Sequence, residues 1–334
     1  MSKKVAINGF GRIGRLTFRN LLKNPDIEVV AINDLTDNAT LAHLFKYDSA
    51  HGIFEGTVES TDDHLIINGK KISASAERNP ANLPWKELGV DVVLECTGIF
   101  LAADKAKMHL DAGAKKVLLS APGKGGDIKT IVLGVNDDEL TADQNIISNA
   151  SCTTNCFAPV IKLLNDNWGV KVGSMTTTHA YTGDQNIQDA PHKDLRRARA
   201  AAYNIVPTST GAAKAIGAVV PEVAGKLSAI ALRVPVVDGS LIEVNVLVEK
   251  STTPEEINSV FKAASEGRMK GVLEYCTVEI VSSDIIRNPH SSIFDSLMTQ
   301  VQDGNFIKVV SWYDNEAGYS ARLAELTDKV CKLV

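Results

Sequence analysis

The chain has 334 residues, 44% hydrophobic and 22% charged, with a formal net charge of −5. That length exceeds what a single hydrophobic core usually holds, so two domains are expected. The mildly acidic balance excludes a general nucleic-acid binder, and no apolar run is long enough to span a bilayer.

Met1-Ser2-Lys3-Lys4-Val5 runs straight into a folded pattern with no signal or transit segment, so a cytoplasmic location is expected. The cysteines, Cys96, Cys152, Cys156, Cys276 and Cys331, are odd in number and irregular in spacing. They form no C-x-x-C pair, so no metal site is expected, and free thiols fit a reducing compartment.

The first half alternates strand and helix. Lys4–Asn8 reads as a short strand, Arg15–Leu22 has helical spacing, and Glu28–Asn33 reads as a second strand. His51 to Lys71 reads as a small antiparallel insertion with a turn at Asn68-Gly69. Asp91–Cys96, Lys116–Ser120, Thr130–Gly134 and Asn145–Ser148 are near-continuous apolar runs, the pattern of strands buried on both faces. Together they predict a doubly wound parallel sheet.

Beyond residue 150 the pattern changes. A helix is expected after Cys152, through Phe157–Leu164. Strands are then expected at Lys171–His179, Ala229–Pro235, Leu241–Glu249, Cys276–Val281 and Phe306–Tyr313. Their partial alternation predicts an α+β domain whose mixed sheet is largely antiparallel and covered on one side. His179 to Ile205 shows no period, and a loop of that length is usually functional. Glu316–Val334 reads as one amphipathic helix.

Gly9-Phe10-Gly11-Arg12-Ile13-Gly14 follows a strand and opens a helix, and Asp34 stands twenty residues beyond Gly14 at the end of the next strand. That context is the Rossmann dinucleotide fingerprint. Gly9 allows the tight turn, Gly11 lets backbone approach a pyrophosphate, and Gly14 lets helix and strand pack closely. The helix N-terminus offers N–H groups and a positive dipole to phosphates. Asp34 can accept from ribose hydroxyls and repels a 2′-phosphate, which favours NAD over NADP.

Ser151-Cys152-Thr153-Thr154-Asn155-Cys156 also follows a strand and opens a helix. A helix N-terminus stabilises a thiolate, and its N–H groups can hold an oxyanion. Taken alone, Cys152 reads about equally well as a reactive thiol and as a buried small residue. Cys156, one turn further in, reads better as core. His179 ends a strand at the mouth of the long loop and is the favoured base, with His192 a weaker candidate.

Lys193, Arg196, Arg197 and Arg199 cluster in that loop, where Asp184, Asp189 and Asp194 are available partners. Ion pairing or contact with a neighbouring subunit is the preferred reading for Arg196 and Arg199; Arg197 is left open. Arg233 stands alone in an apolar strand and needs a carboxylate or a bound anion. Thr208-Ser-Thr-Gly211 precedes a helix and is a plausible phosphate cradle.

Asn8–Arg15, Ala150–Cys156, His179–Thr182, His192–Arg197 and Trp312–Glu316 together resemble the phosphorylating glyceraldehyde-3-phosphate dehydrogenase family over nearly the whole chain. The cysteine motif is highly specific and the glycine motif is not. The resemblance implies a Rossmann NAD-binding domain at 1–151, completed by the C-terminal helix 316–334, and a catalytic domain at 152–315. It implies Cys152 as nucleophile and His179 as its base. Thr182 and Arg233 would bind the phosphate of glyceraldehyde 3-phosphate. Thr210, Gly211 and Arg197, with Ser151 and Thr153 nearby, would bind inorganic phosphate. Arg12, Ile13, Asp34, Arg78, Ser120 and Asn315 would contact NAD. It also implies a cytoplasmic homotetramer acting in glycolysis. The rival readings are an erythrose-4-phosphate dehydrogenase with the same cysteine, and a catalytically idle scaffold on the same fold.

Overall fold

The computed structural model describes residues 2–334. The chain divides into two compact units. One takes in Met1–Ile131, Asp138–Ala150 and Ser320–Val334; the other takes in Val132–Asp137 and Ser151–Tyr319.

The first unit is built on β1 (Lys3–Asn8), β2 (Ile27–Asn33), β3 (Val58–Ser60), β4 (His64–Ile67), β5 (Lys70–Ser75), β6 (Val92–Glu95), β7 (Lys116–Leu119), β8 (Lys129–Thr130) and β9 (Ile146–Ser148). The sheet order is β3-β4-β5-β2-β1-β6-β7-β9-β8. From β5 to β8 every pairing is parallel. Val5, Ala6, Ile7, Val92, Val93 and Leu94 are wholly buried, which is why these strands read as unbroken apolar runs. β3, β4 and β5 pair antiparallel. The β4–β5 turn places Asn68 at φ 51° and Gly69 at φ 77°, the left-handed pair that a two-residue hairpin demands.

One expected strand is cut short. Of Thr130–Gly134 only Thr130 joins the ladder, as the end of β8. The Val132 N–H donates to Asn136 Oδ1 at 2.8 Å and Val135 N–H donates to Val132 O at 3.1 Å, so a turn takes over the groups a strand would use.

The second unit carries β10 (Val170–Ala180), β11 (Val206–Thr208), β12 (Leu227–Val234), β13 (Ser240–Val248), β14 (Leu273–Cys276), β15 (Ser292–Gln302) and β16 (Phe306–Tyr313). Their order is β11-β12-β10-β13-β16-β15-β14. Two pairings, β10–β12 and β14–β15, are parallel and the others antiparallel. On β13 the residues Ile242, Val244, Val246 and Val248 are fully buried and alternate with partly exposed ones, as a sheet covered on one side requires. The helices Cys152–Trp168 and Pro254–Glu266 supply that cover.

The expected strand at Cys276–Val281 is absent: β14 ends where it was expected to begin. Val278 and Val281 are exposed, and Val281 N–H is taken by Asp284 Oδ2 at 2.8 Å. The sheet instead gains β15, which the sequence hides. Ser292 and Asp295 interrupt its apolar run, and its register shifts between Asp295 and Gln300. The last helix covers Ala317–Cys331, stopping three residues short of the chain end.

Candidate active site

Parallel register brings the chemistry of the second unit together. On β10 and β12, His179 pairs with Arg233 and Ala180 with Val234. Across β11, Val206 pairs with Arg233. The strand preceding Cys152 ends at Ser148, and Ala150 then takes a φ of 55° before the helix begins. Ser151 caps that helix: its hydroxyl accepts from Thr154 N–H at 3.1 Å. Cys152 is therefore the first helical residue, at the positive end of the dipole.

Cys152 Sγ lies 3.5 Å from His179 Nε2. His179 Nδ1 lies 2.7 Å from the carbonyl oxygen of Ala180. A carbonyl oxygen at that distance can only accept, so Nδ1 carries the proton and Nε2 turns its lone pair toward the sulfur. Arg233 Nη1 is 3.0 Å from His179 Nδ1, 3.2 Å from Ala180 O and 3.0 Å from Thr182 Oγ1. With Nδ1 protonated, Arg233 donates to the two oxygens and acts on the imidazole through its charge.

The electrostatics of the pair oppose each other. Burial pushes the Cys152 thiol up, while Arg233, the Thr153 hydroxyl and the N–H groups of Thr153 and Cys152 draw it down. Burial, then the positive charge of Arg233, pushes His179 down to about 3. The imidazole is thus neutral at physiological pH, which is what a base needs. Cys156 is fully buried, with its thiol pushed up to about 12 by burial.

Tyr313 lies in the Trp312–Glu316 motif, but the sequence assigned it no role. Its hydroxyl is 3.0 Å from Thr153 Oγ1 and 2.9 Å from Thr177 Oγ1, and its ring packs edge-on to His179 at 5.8 Å. It ends β16, far from Cys152 in sequence, and only the sheet order delivers it. Asp184 also lies in this group. Thr182 donates to it, and Arg197 Nε pairs with it at 3.3 Å. Arg197 Nη1 is also 3.9 Å from Asp194, Arg199 pairs with Asp189 at 2.8 Å, and Arg196 N–H donates to Asp194. Arg233 Nε is buried with no acceptor, as is Thr208 Oγ1. Thr210 Oγ1 accepts from Ala212 N–H at 3.2 Å, and Gly211 caps the helix Ala212–Val219. Asn315 is buried and accepts from Ser240 Oγ at 2.6 Å.

In the first unit Gly9, Gly11, Asp34 and Arg78 line one cavity of about 470 Å³, together with Asn8, Asn33, Glu77 and Thr97. A Cβ on Gly9 would meet Thr97 N at 2.6 Å, and one on Gly14 would meet Gly9 O at 2.3 Å. A Cβ on Gly11 would meet nothing within 4 Å, so Gly11 leaves bare backbone for a ligand to approach. Gly11 is the N-cap of the helix Arg12–Leu21 and offers it no side-chain cap. Asp34 Oδ2 accepts from Phe10 N–H at 2.8 Å and Oδ1 from Thr36 N–H at 3.0 Å, which anchors the carboxylate and leaves further lone pairs for hydroxyls. Arg12 Nη2 is held by Asp48 at 3.1 Å. Ile13 lies beside it in the first turn of the helix. The N–H of Ser120 donates to Glu95 O at 3.0 Å. Arg12, Ile13 and Ser120 are not among the residues that line the cavity. The cavity, the uncapped helix and the placed carboxylate fit a dinucleotide.

This fold and cavity define the class: a dinucleotide-binding protein. The chain matches the model of the glyceraldehyde 3-phosphate dehydrogenase NAD binding domain over residues 3–103, and that of the C-terminal domain over residues 151–315. It is 60% identical over 332 residues to glyceraldehyde-3-phosphate dehydrogenase of Thermotoga maritima, covering 99% of each chain. It is 60% identical over 340 residues to that of Mycolicibacterium smegmatis, again 99% of each. With the protein of Geobacillus stearothermophilus it shares 56% over 327 residues, 98% of this chain and 97% of the other. The chain belongs to the glyceraldehyde-3-phosphate dehydrogenase family, and its cofactor is NAD.

Proposed function

We propose that the chain oxidises glyceraldehyde 3-phosphate with NAD and inorganic phosphate to 1,3-bisphosphoglycerate and NADH in glycolysis, through a thioester on Cys152. The observation that carries this reading is the 3.5 Å approach of Cys152 Sγ to a His179 whose tautomer leaves Nε2 free to take a proton. The family and its relatives support the same substrate.

Arg233 and Thr182 hold the substrate's phosphate. Support comes from the buried, acceptor-less Nε of Arg233. Thr182 must give up its bond to Asp184 before its hydroxyl can donate to a phosphate. As Cys152 attacks the aldehyde carbon, its thiol proton leaves toward His179 and a thiohemiacetal forms. Helix N-terminal N–H groups of Cys152 and Thr153 stabilise the oxyanion. His179 returns that proton to the oxyanion, completing the hydroxyl of the thiohemiacetal, and its freed Nε2 then takes the hydroxyl proton back as the C–H bond breaks. NAD supplies the acceptor for the departing hydride. The thioester on Cys152 retains the energy of oxidation until inorganic phosphate attacks its carbonyl carbon and displaces the thiolate. Thr210, Gly211 and Arg197, with Ser151 and Thr153, are assigned to that phosphate. Arg12, Ile13, Asp34, Arg78, Ser120 and Asn315 are assigned to NAD, and Gly9, Gly11 and Gly14 shape its pyrophosphate turn.

We assign 1–151 and the stretch 316–334, which contains the helix Ala317–Cys331, to NAD binding and 152–315 to catalysis, although the compact units group Val132–Asp137 and 316–319 with the second unit. A cytoplasmic homotetramer is the assembly proposed. Ile187, Leu195, Tyr203 and Ile205 of the long loop are all at least 67% exposed, an apolar surface that self-association would cover. Among the described residues no helix is long and apolar enough to cross a membrane. The deciding experiment is NADH formation from glyceraldehyde 3-phosphate with and without inorganic phosphate. Strong phosphate dependence is expected. Phosphate-independent activity would point to hydrolytic release, and a preference for erythrose 4-phosphate would move the assignment to that substrate.

A further inference from the structure

Beneath the dinucleotide cavity lies a buried polar chain that the reaction does not use. The register of three neighbouring parallel strands aligns their last residues: Asn33 with Asn8 on β2 and β1, and Asn8 with Glu95 on β1 and β6. Carboxyl ends of parallel strands are where such folds bind ligands. Glu95 is completely buried. Its Oε2 accepts from Asn8 Nδ2 at 2.6 Å and faces His109 Nε2 at 3.0 Å. Its Oε1 accepts from Thr97 N–H at 2.8 Å and from the Thr97 hydroxyl.

His109 is also fully buried, and its proton can be placed. Trp85 Nε1 lies 3.0 Å from His109 Nδ1. An indole nitrogen only donates, so Nδ1 accepts and the ring proton sits on Nε2, pointing at Glu95. Four donors therefore converge on the two oxygens of one carboxyl group. The chain continues outward: Asn33 Nδ2 donates to Asn8 Oδ1 at 2.7 Å and to Glu77 O at 2.9 Å. Asn8, Asn33, Glu77 and Thr97 all line the cavity, as does Phe100, whose ring stands edge-on to His109.

The network acts on the glycine turn. Gly9 N–H donates to Asn33 O at 2.8 Å, and Thr97 N is the atom that a Cβ on Gly9 would strike at 2.6 Å. Whatever holds Thr97 thus sets the width of the turn that carries the pyrophosphate.

We propose that Glu95, oriented by His109 and Trp85, is a positioning residue for NAD: it clamps Thr97 against Gly9 and so tunes cofactor affinity without touching the reacting atoms. This rests on the cavity being the NAD site. Glu95→Gln keeps the volume but turns one acceptor into a donor among donors, leaving one bond unmade.

The test is calorimetric titration of full-length protein with NAD, alongside steady-state kinetics. For Glu95→Gln the NAD dissociation constant should rise about tenfold, consistent with one unsatisfied buried group. Turnover at saturating NAD should change less than about twofold. Thr97→Val, which removes the hydroxyl that donates to Glu95 and accepts from Ile99 N–H at 3.1 Å but removes no charge, should weaken NAD binding in the same sense and decides the matter if Glu95→Gln does not fold. Wild-type affinity in the variant that folds overturns the proposal. So does a fall in saturated turnover matching the loss of affinity, which would make Glu95 a general structural residue. Failure of the unsubstituted protein to bind NAD would instead remove the cavity assignment itself.

Discussion

His179 and Arg233 stand at the same level of two parallel strands, with Arg233 Nη1 3.0 Å from His179 Nδ1. One cation therefore serves two ends. After burial, it is the next cause that lowers the imidazole's pKa, and its own Nε is buried with no acceptor.

Replacing Arg233 by Leu should separate these roles. Loss of the phosphate ligand should raise KM for glyceraldehyde 3-phosphate by roughly tenfold to a hundredfold, the size of a charge-assisted bond. Loss of the charge should also raise the His179 pKa toward its ordinary 6.5, readable by NMR titration of the imidazole. An unchanged titration would mean that burial alone depresses it.

His179→Gln should lower turnover by roughly 10²- to 10⁴-fold, the usual worth of a positioned base. It should also flatten the acid dependence of stability. The folded pKa lies below the unfolded value, so His179's contribution is fully present above about pH 6.5 and is lost as pH falls toward 3. Within that window the slope amounts to at most about 1.4 kcal/mol per pH unit. Chemical denaturation of both proteins at pH 6.5 and 5 gives the comparison; equal slopes would refute the assignment of a depressed pKa.

Cys152→Ser should retain NAD binding and lose turnover by roughly a thousandfold or more, because an alcohol is a far poorer nucleophile at neutral pH. Iodoacetamide should label the unsubstituted chain at one fast thiol: Cys152 stands at a helix N-terminus beside His179, whereas Cys276 is buried and Cys96, Cys156 and Cys331 are each pushed up to about 12. Normal turnover by the serine variant would end the thioester mechanism.

Asp34→Asn keeps an acceptor for Phe10 N–H or Thr36 N–H and removes the charge. The preference for NAD over NADP should shrink by roughly tenfold, measured as the ratio of the two kcat/KM values, because the repulsion of a 2′-phosphate disappears. An unchanged ratio would place the discrimination elsewhere.

Local patterns announced much of this protein. A glycine motif after one apolar run, an acidic residue after the next and a capped cysteine helix all act within a few residues of themselves, so spacing alone reveals them. β13 and the parallel core strands were readable because burial imposes a period or removes it. The pattern failed where a polar strand was hidden inside a sheet, as in β15, and where an apolar run turned away, as at Val278 and Val281.

What only tertiary structure decided are the long-range coincidences. The sequence marked His179 and Arg233 as candidates, but only parallel pairing of β10 with β12 put one cation against one imidazole. Tyr313 falls within the Trp312–Glu316 motif, which assigns it no role, yet the sheet order carries its hydroxyl between Thr153 and Thr177. Trp85, His109 and Glu95 likewise give no local sign that they meet. A hydrogen bond needs its partners within about 3 Å and correctly aimed, and for residues far apart in sequence only the register of packed strands supplies that.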